Sequence, residues 1–471
     1  MTVSLDKPKT IYNEYFTQSG QPRAETAGLA EWLNHLSAAQ LAQAEAAAEA
    51  ALRDLGATFV VDGEERILPF DILPRVISAQ TWSRLEAGLK QRVVALNRFC
   101  ADVYSNQHIV RDGKVPRSVI ESAAHFLPEC MGMRPPGGVW CHVSGTDLVR
   151  DADGQWYVLE DNLRVPSGIA YVLKNRQVME RVLPDLMQQF APAPVDHYAQ
   201  QLHQTLLAAA FVENPAIAVL TPGPRESAYF EHALLAEQMG AALVQPQDLA
   251  IADGYLHYQR DQGLHKIDVL YRRGDVPLFN QFQPSGYPSG VAALIELCQA
   301  RRLAVANAIG AGVADDKVIY AYVPDMIRYY LGEEPMLPNV PTYLCWRESD
   351  RQYVLEHLDE LVVKAASEEG GRGMLIGPHA SPAEREEFAA KIRDRPRDYM
   401  AQPTIYLSQI PTVIDGKLEG RHVDLRPYVL AQGDEVYVHP GGLTRVALKK
   451  GSLVVNSTQG GGSKDTWVLQ Q

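Results

Sequence analysis

Apolar residues recur at helical spacing in two stretches near the start of the chain. The first stretch follows Ser37 and Gln40, a candidate capping box, and stops at Gly56, a residue type that commonly ends helices. In the second stretch the apolar positions fall at steps of three and four residues: Trp82, Leu85, Leu89, Val93, Leu96, Phe99 and Val103. The pattern predicts two amphipathic helices, of which the second is long enough to anchor a hydrophobic core.

Alternating apolar and polar positions predict two β-hairpins beside these helices. The segment "ATFVVDGEERILPFDILP" turns at Asp62-Gly63, and "CHVSGTDLVRDADGQWYVLEDN" turns at Asp153-Gly154. Asp-Gly pairs favour the positive φ values of a tight hairpin turn. The acidic stretch that begins at residue 153 is therefore predicted to be the outgoing arm of the second hairpin.

Prolines around residues 191–196 mark a boundary, after which the pattern becomes strand, helix, strand. The segments are "NPAIAVLTPG", "SAYFEHALLAEQMG" and "AALVQPQDL". They predict a βαβ unit within a small Rossmann-type region. The region has no GxGxxG motif, so it gives no direct sign of dinucleotide binding. Strands and turns dominate the rest of the chain, which predicts an α+β body rich in antiparallel sheet.

Composition is that of a globular protein and disfavours two classes of partner. The 471 residues are 46% hydrophobic, and 44 basic against 57 acidic residues give a net charge of −13. Because no block of lysines and arginines occurs, we expect neither a nucleic acid nor a membrane as a partner. Residues 1–16 lack the apolar core of a signal peptide, so the cytoplasm is the expected location. The five scattered cysteines form no CxxC pair and are expected to be buried thiols.

Three oxygen-bearing side chains of the second hairpin are candidate metal ligands. Asp147 lies on the incoming arm, and Glu160 and Asn162 lie two residues apart on the outgoing arm, so these two share one face. Carboxylate and amide oxygens suit Mg²⁺, which usually retains waters and substrate phosphates as its other ligands. Taken alone, the same residues are equally typical of a solvated acidic hairpin edge.

A lysine at the end of a predicted strand precedes a glycine-rich loop. Lys364 ends the strand, and the loop "SEEGGRGMLIG" follows it. Glycines let backbone N–H groups approach phosphate, and a lysine held by a strand supplies a compact positive charge. The spacing differs from the P-loop motif, since no lysine follows the glycines. The alternative is an ordinary surface loop.

Together these elements resemble the ATP-grasp superfamily, in which two α+β subdomains hold ATP between them. The D-alanine–D-alanine ligases and their relatives carry an Asp and a Glu-x-Asn on the two arms of one hairpin, as this chain does. Their "DK" helix start resembles Asp316-Lys317, and their Val-Val-Lys strand before a glycine-rich loop resembles the strand that ends at Lys364. The segments "MAQPTIYLS" and "HVDLRPYVL" are similar to their hinge strand and their late Asp-x-Arg strand.

The order of these motifs resembles that of circularly permuted, glutathionylspermidine-synthase-like ATP-grasp proteins, because the metal hairpin comes first instead of last. Such a change preserves the packing when the two chain ends lie close together. The resemblance covers most of the chain and implies an α+β, circularly permuted ATP-grasp core of two α+β subdomains, with a Rossmann-like pre-ATP-grasp domain and N-terminal helices. The predicted division is a helical region with a hairpin at 1–125, a permuted ATP-grasp segment at 126–199, the Rossmann-like domain at 200–312, and the nucleotide-binding subdomains at 313–471.

The resemblance implies an ATP- and Mg²⁺-dependent ligase that joins a carboxylate to an amine through an acyl-phosphate. Small molecules or peptides would supply both groups. It assigns the metal to Asp147, Glu160 and Asn162 and places Arg426 near the transferred phosphate. The implied ATP-binding residues are Lys317, Lys364, Gly370, Gly371, Arg372, Gly373 and, at adenine, Gln402.

One position departs from the family pattern. Many relatives carry an arginine two places before the metal-binding aspartate, where this chain has Gly145. Arg164 and Arg445 are candidates to replace that arginine, Arg164 in catalysis and Arg445 at the substrate, but either can equally form a surface ion pair. Ser167, in the "RVPSG" turn, is a candidate to bind substrate through its hydroxyl or to stabilise the turn.

Other polar residues leave two interpretations open. Ser463 and Lys464, in the terminal "TQGGGSKDTW", either bind an anionic substrate or belong to the turn of the last strand. The single histidines His232 and His422 are expected to be structural rather than catalytic.

Two functions compete with the ligase. One is a regulatory ATP-binding protein that has kept the fold, and the other is a kinase that stops at phosphoryl transfer. The four residues Asp147, Glu160, Asn162 and Lys364 favour an enzyme, because a protein freed from catalysis has no need of metal ligands. The sequence identifies neither the substrates nor the oligomeric state.

Overall fold

The protein is described by a computed structural model that covers residues 11–61, 64–261, 263–367, 373–433, 435–455 and 460–470. Its helices, in chain order, are α1 (Ala27–His35), α2 (Ala38–Asp54), α3 (Ala79–Val103), α4 (His108–Arg111), α5 (Arg117–Glu121), α6 (Ile169–Val182), α7 (Pro184–Phe190), α8 (Tyr198–Ala208), α9 (Tyr229–Met239), α10 (Gly290–Gln299), α11 (Lys317–Tyr320), α12 (Val323–Leu331), α13 (Glu348–Glu356) and α14 (Pro382–Asp394).

The strands, in chain order, are β1 (Thr58–Val61), β2 (Glu64–Ile67), β3 (Phe70–Ile77), β4 (Val143–Arg150), β5 (Trp156–Asn162), β6 (Ile217–Leu220), β7 (Ala242–Val244), β8 (Leu249–Ala252), β9 (Tyr255–Arg260), β10 (Gly263–Lys266), β11 (Val269–Arg272), β12 (Ala304–Ala306), β13 (Tyr343–Leu344), β14 (Leu361–Ala365), β15 (Met374–Ile376), β16 (Tyr399–Pro403), β17 (Gln409–Ile414), β18 (Lys417–Arg426), β19 (Tyr428–Gln432), β20 (Glu435–Val438), β21 (Leu443–Val446) and β22 (Gly462–Val468).

The local predictions for the first third of the chain are confirmed. Ser37 and Gln40 form the capping box of α2, with the serine hydroxyl accepting from the Gln40 backbone N–H. Helix α3 buries the predicted apolar stripe against several parts of the core. Strands β1 and β2 pair antiparallel with Thr58 opposite Ile67, whereas the turn at Asp62-Gly63 lies outside the described residues.

The largest sheet mixes strands from both ends of the chain. Its order is β20-β19-β4-β18-β21-β22-β3, with β17 added to β18 and β5 added to β4. Strand β4 therefore lies between two strands from the last part of the chain, and β3 pairs in parallel with β22. The early hairpin is a structural part of the late sheet, as a circular permutation requires.

Two four-stranded sheets accompany the largest sheet. The four-stranded sheet β12-β11-β6-β7 is parallel and contains the predicted βαβ unit, in which Gly240 ends α9 at a φ of +65°. The four-stranded antiparallel sheet β13-β16-β14-β15 holds Lys364 opposite Met400. The α+β fold class is confirmed.

The core consists of several apolar clusters under these sheets. One cluster joins Leu96 and Phe99 of α3 to Leu220 and Leu270 of the parallel sheet. All five cysteines are buried free thiols, which confirms the expectation. Among the described residues, no helix is both long enough and apolar enough to cross a membrane.

Candidate nucleotide and ligation site

The predicted site residues surround one cavity of about 900 Å³. Its walls come from the β4–β5 hairpin, the start of α11, and strands β14, β16, β18 and β21. Ten predicted residues line it: Asp147, Glu160, Asn162, Arg164, Ser167, Lys317, Lys364, Gln402, Arg426 and Arg445. The structure thus brings an early hairpin and a late lysine strand to the same space.

The predicted glycine loop is only partly within the described residues. Gly370, Gly371 and Arg372 lie outside them. Gly373 follows at a φ of +60°, and its carbonyl accepts a hydrogen bond of 3.2 Å from the backbone N–H of Ala365. The end of β14 is therefore fixed to the residue that closes the loop.

Strand register places the three proposed metal ligands together. Asp147 lies directly opposite Glu160, and Gly145 lies directly opposite Asn162. Because side chains of a strand alternate between its faces, Glu160 and Asn162 point to the same side and Asp161 points to the other. Asp161 is held there by the guanidinium of Arg92, with N–O distances of 2.7 to 2.9 Å.

Asp147 is held by two arginines. Arg426 donates through Nε and Nη2 to its two carboxylate oxygens at 2.6 and 2.9 Å, and Arg445 donates to Oδ2 at 2.7 Å. Burial raises the pKa of Asp147, but the two guanidiniums outweigh burial and hold this pKa below its ordinary value. Asp424 pairs with Arg445 as well, so two carboxylates and two arginines form one buried cluster.

The glycine at position 145 makes room for Arg426. A Cβ added to Gly145 would lie 3.2 Å from Cδ of Arg426 and 3.0 Å from Cβ of Pro166. The side chain of Arg426 thus occupies the space beside the position where many relatives carry an arginine. This contact gives a physical reason for the departure noted in the sequence.

Two lysines complete the central part of the cavity. Nζ of Lys317 lies 3.5 Å from Oε2 of Glu160, at the start of a helix that Asp316 caps. Burial lowers the pKa of Lys364 to about 8, against the opposing effect of the Glu160 carboxylate. An anionic ligand beside this buried ammonium would stabilise its charge further.

Gln402 presents an unsatisfied acceptor at the apolar end of the cavity. Its Nε2 donates to Oγ1 of Thr342 at 3.2 Å, whereas its buried Oε1 has no hydrogen-bond partner in the described part of the chain. Apolar side chains line the same cavity: Val362, Met374, Ile376, Leu407, Leu453 and Val455. An acceptor beside apolar walls fits the amino group and the ring of adenine.

The donor set fits a magnesium ion bound through oxygen. Glu160 is about a quarter exposed, and Asn162 uses its Nδ2 on the carbonyl of Gly145 at 3.1 Å, which directs its amide oxygen elsewhere. No cluster of three His, Cys, Asp or Glu side chains suited to a metal occurs in the described ranges. Both oxygens of Asp147 accept hydrogen bonds from arginines, so Glu160 and the amide oxygen of Asn162 are the donors open to a cation that takes its other ligands from water and phosphate.

The arginines proposed to replace the missing family arginine are buried. Arg164 pairs with Asp275 at 2.6 Å and with Asp315 at 3.2 Å. Arg445 lies in the cluster around Asp147. Both arginines therefore form ion pairs that are buried and not on the outer surface, and both residues line the cavity.

Three remaining sequence candidates have structural partners. The carbonyl of Ser167 accepts from Tyr428 Oη at 2.8 Å, which ties the "RVPSG" turn to the large sheet. Lys464 is buried, pairs with Asp71 and donates to two carbonyls, so it belongs to the sheet and not to the cavity. Nδ1 of His422 contacts the carbonyl of Leu407 at 2.6 Å.

One end of the cavity combines the predicted Arg164 with polar residues that the sequence analysis missed. We call it the parallel-sheet end, and it is lined by His125, Arg164, Glu226, Ser227, Arg273, Asp275 and Asp315. Asp275 was detectable, because "RRGD" follows a parallel strand and ligands gather where such strands end. His125 lies in a turn after α5 and carries no motif signal.

Comparisons with known proteins identify the family of the chain. The family model described as circularly permuted ATP-grasp type 2 matches residues 74–447. An uncharacterized protein of Synechocystis sp. is 58% identical over 478 residues, which cover 100% of this chain and 99% of that relative. A Frankia casuarinae protein named "Putative glutamate--cysteine ligase 2-2" is 44% identical, and the match covers 98% of this chain but 54% of the Frankia chain.

A solved structure shows the same fold at low sequence identity. It is the apo form of a glutathione synthetase-like effector from Globodera pallida, with a TM-score of 0.60 and 12% identity. The match covers 92% of this chain and 98% of the effector. The protein described here belongs to the circularly permuted ATP-grasp type 2 family.

Proposed function

We propose that the protein is an ATP-dependent ligase that joins a carboxylate to an amine through an acyl-phosphate. The observation that carries this proposal is the single cavity shared by the acidic hairpin, Lys364 and Gln402. Its apolar end, its cationic centre and its oxygen ligands match the three parts of a magnesium-bound nucleotide. Family membership supports the same class of reaction.

Each part of the nucleotide has residues to hold it. Oε1 of Gln402 would accept from the adenine amino group, and Lys317 and Lys364 would bind the phosphates. Glu160 and Asn162, with Asp147 beside them, would bind Mg²⁺. When bound, ATP with Mg²⁺ supplies the phosphoryl group that activates the carboxylate.

The arginines would stabilise the charge that develops during transfer. The side chains of Arg426 and Arg445 are fixed by Asp147 before any ligand arrives, so no reorganisation is needed when negative charge develops. Ser167 and Arg164 would lie between this centre and the second substrate, because Nη1 of Arg426 donates to the Ser167 carbonyl at 3.3 Å. Preorganised contacts of this type contribute about 10² to 10³ in rate each.

The substrates are proposed only by class, as small-molecule or peptide carboxylates and amines. The Frankia name suggests glutamate as the first carboxylate to test, although that name describes a chain of which this one matches 54%. The domain boundaries at 125, 199 and 312, and the cytoplasm as the location, remain proposals from the sequence.

A hydroxylamine trap tests the reaction without knowledge of the amine. The protein is incubated with ATP, Mg²⁺, hydroxylamine and each of the twenty amino acids, and ADP release and hydroxamate formation are measured. We expect carboxylate-dependent hydroxamate, reduced about 10² to 10³-fold in Glu160→Gln and unchanged in the exposed control Glu213→Gln. A stable phosphorylated product would indicate a kinase, and ATP binding without turnover would indicate a regulatory protein; either result contradicts the ligase.

A further inference from the structure

The parallel-sheet end contains a histidine, His125, one ring nitrogen of which has no hydrogen-bond partner among the described residues. Nε2 of His125 is buried and makes no hydrogen bond within the described residues, although the side chain lines the cavity. Its Nδ1 lies 3.9 Å from Oδ2 of Asp275. A histidine in a cavity wall, with a carboxylate within ion-pair distance of one ring nitrogen, is a candidate general base.

The surrounding structure fixes this pair in place. Asp275 accepts from Arg164 at 2.6 Å and from the backbone N–H of Val276 at 2.8 Å, so its carboxylate cannot rotate freely. The turn that carries His125 is anchored by Phe126, whose ring stacks on Tyr104 at 5.3 Å. A defined position is what proton transfer requires.

Gly312 brings the histidine and the arginine side by side. A Cβ added to Gly312 would lie 2.8 Å from Cβ of His125 and 3.1 Å from Cδ of Arg164. Any larger residue would push these side chains apart or into the cavity. The close packing keeps the imidazole beside Arg164 in the wall of the cavity.

Burial favours the neutral form of the imidazole. Burial lowers the pKa of His125, and the nearby Arg164 guanidinium lowers this pKa further. Asp275, Asp315 and Asp316 act in the opposite direction without reversing the shift. At neutral pH the ring is therefore free to accept a proton.

We propose that His125 is the general base that activates the amine substrate, with Asp275 as its positioning residue. This inference rests on the proposed ligase function. The substrate ammonium transfers one proton to Nε2 of His125, and the freed electron pair of the nitrogen attacks the acyl carbon. The C–N bond forms as the C–O bond to phosphate breaks, and the second nitrogen proton leaves with the phosphate.

The test compares two nucleophiles in one variant. Hydroxylamine is already unprotonated at neutral pH, whereas the amines of the amino acids and of spermidine are cations. For a carboxylate identified by the hydroxylamine trap, His125→Gln should form hydroxamate nearly as fast as the wild type. Its rate of amide formation, with an amino acid or spermidine as the amine substrate, should fall about 100-fold.

A second histidine of the same cavity provides the control. His232 contacts Oγ1 of Thr221 at 2.9 Å, so its role is structural. In His232→Gln the ratio of amide to hydroxamate should equal the wild-type ratio, whatever the effect on stability. Equal losses of both products in His125→Gln, or no loss of either, would overturn the proposal while leaving the ligase function intact.

A titration without ATP provides an independent readout. In protein labelled with ¹³C-histidine, the ring signal of His125 is the one that disappears in His125→Gln. We expect this signal to report a neutral ring at pH 7, with its pKa below the ordinary value of 6.5. A ring that is protonated at pH 7 would overturn the proposal.

Discussion

At the residue scale, Asp147 pairs with an arginine that lies far from it in the chain. It lies 279 positions from Arg426 in the chain, yet the two side chains meet through two hydrogen bonds. The sequence indicated Asp147 and Arg426 as separate parts of a site, because each lies in a recognisable motif. Their pairing was not predictable, since it depends on strands β4 and β18 lying side by side in the folded sheet.

Replacing Asp147 should therefore affect stability as well as activity. Asp147→Asn leaves buried guanidinium charge uncompensated, and we expect a loss of about 3 to 5 kcal/mol in the free energy of unfolding at pH 7. Asp147 has a lowered pKa, so its contribution is present above the ordinary value of 3.8 and is lost as pH falls further. Urea unfolding across pH measures both effects.

The matched control for this variant is Asp153→Asn, at the exposed turn of the same hairpin. Its stability should stay within about 0.5 kcal/mol of the wild type. If Asp147→Asn behaves in the same way as this control, the arginine cluster does not stabilise the fold as described.

Lys364 gives a prediction for the pH dependence of nucleotide binding. Its pKa of about 8 means that the free protein loses this positive charge as pH rises through 8. ATP affinity should therefore fall about tenfold between pH 7 and pH 9, because a hydrogen bond from a charged donor is worth about 1.5 to 3 kcal/mol. Calorimetric titration measures the change.

Lys364→Arg is the control, because arginine stays protonated throughout this range. Its ATP affinity should vary much less with pH. Between pH 8 and the ordinary lysine pKa of 10.5 the unfolded chain binds more protons, so Lys364 also makes folding more favourable as pH rises. If ATP affinity depends equally on pH in the wild type and in Lys364→Arg, Lys364 is not the source of that dependence.

At the element scale, helix α3 helps to position the β4–β5 hairpin. Arg92 of α3 binds Asp161 through three hydrogen bonds and Asn339 through a fourth of 2.7 Å. The Asp-Gly turn and the alternating pattern predicted the hairpin, and the apolar stripe predicted α3. The contact between them was missed, because Arg92 lies among apolar residues of the stripe and pairs with a residue 69 positions away.

Removing this contact should weaken the hairpin. Arg92→Met leaves the buried Asp161 carboxylate without its cation, and we expect a loss of about 3 to 5 kcal/mol in the free energy of unfolding. Arg117→Met removes an ion pair whose side chains are more than half exposed, and it should cost less than about 1 kcal/mol. Similar losses in the two variants, measured by urea unfolding, would contradict the proposed role of Arg92.

At the scale of the whole molecule, the strands of the largest sheet follow a different order in space than along the chain. Strand β4 lies between β18 and β19, and β3 pairs with β22, so the first and last parts of the chain build one sheet. Motif order in the sequence predicted this permutation. The parallel-sheet end was not predicted in the same way, because His125, Asp275 and Asp315 come from separate loops with no common motif.

The central claim is that one nucleotide contacts both the early hairpin and the late lysine strand. A crystal structure with Mg²⁺ and a non-hydrolysable ATP analogue tests it most directly. We expect adenine at Gln402, phosphate oxygens within hydrogen-bond distance of Lys364, and the metal on Glu160 and Asn162. A nucleotide bound outside this cavity, or one that contacts the lysine strand while the hairpin binds no metal, would contradict the account.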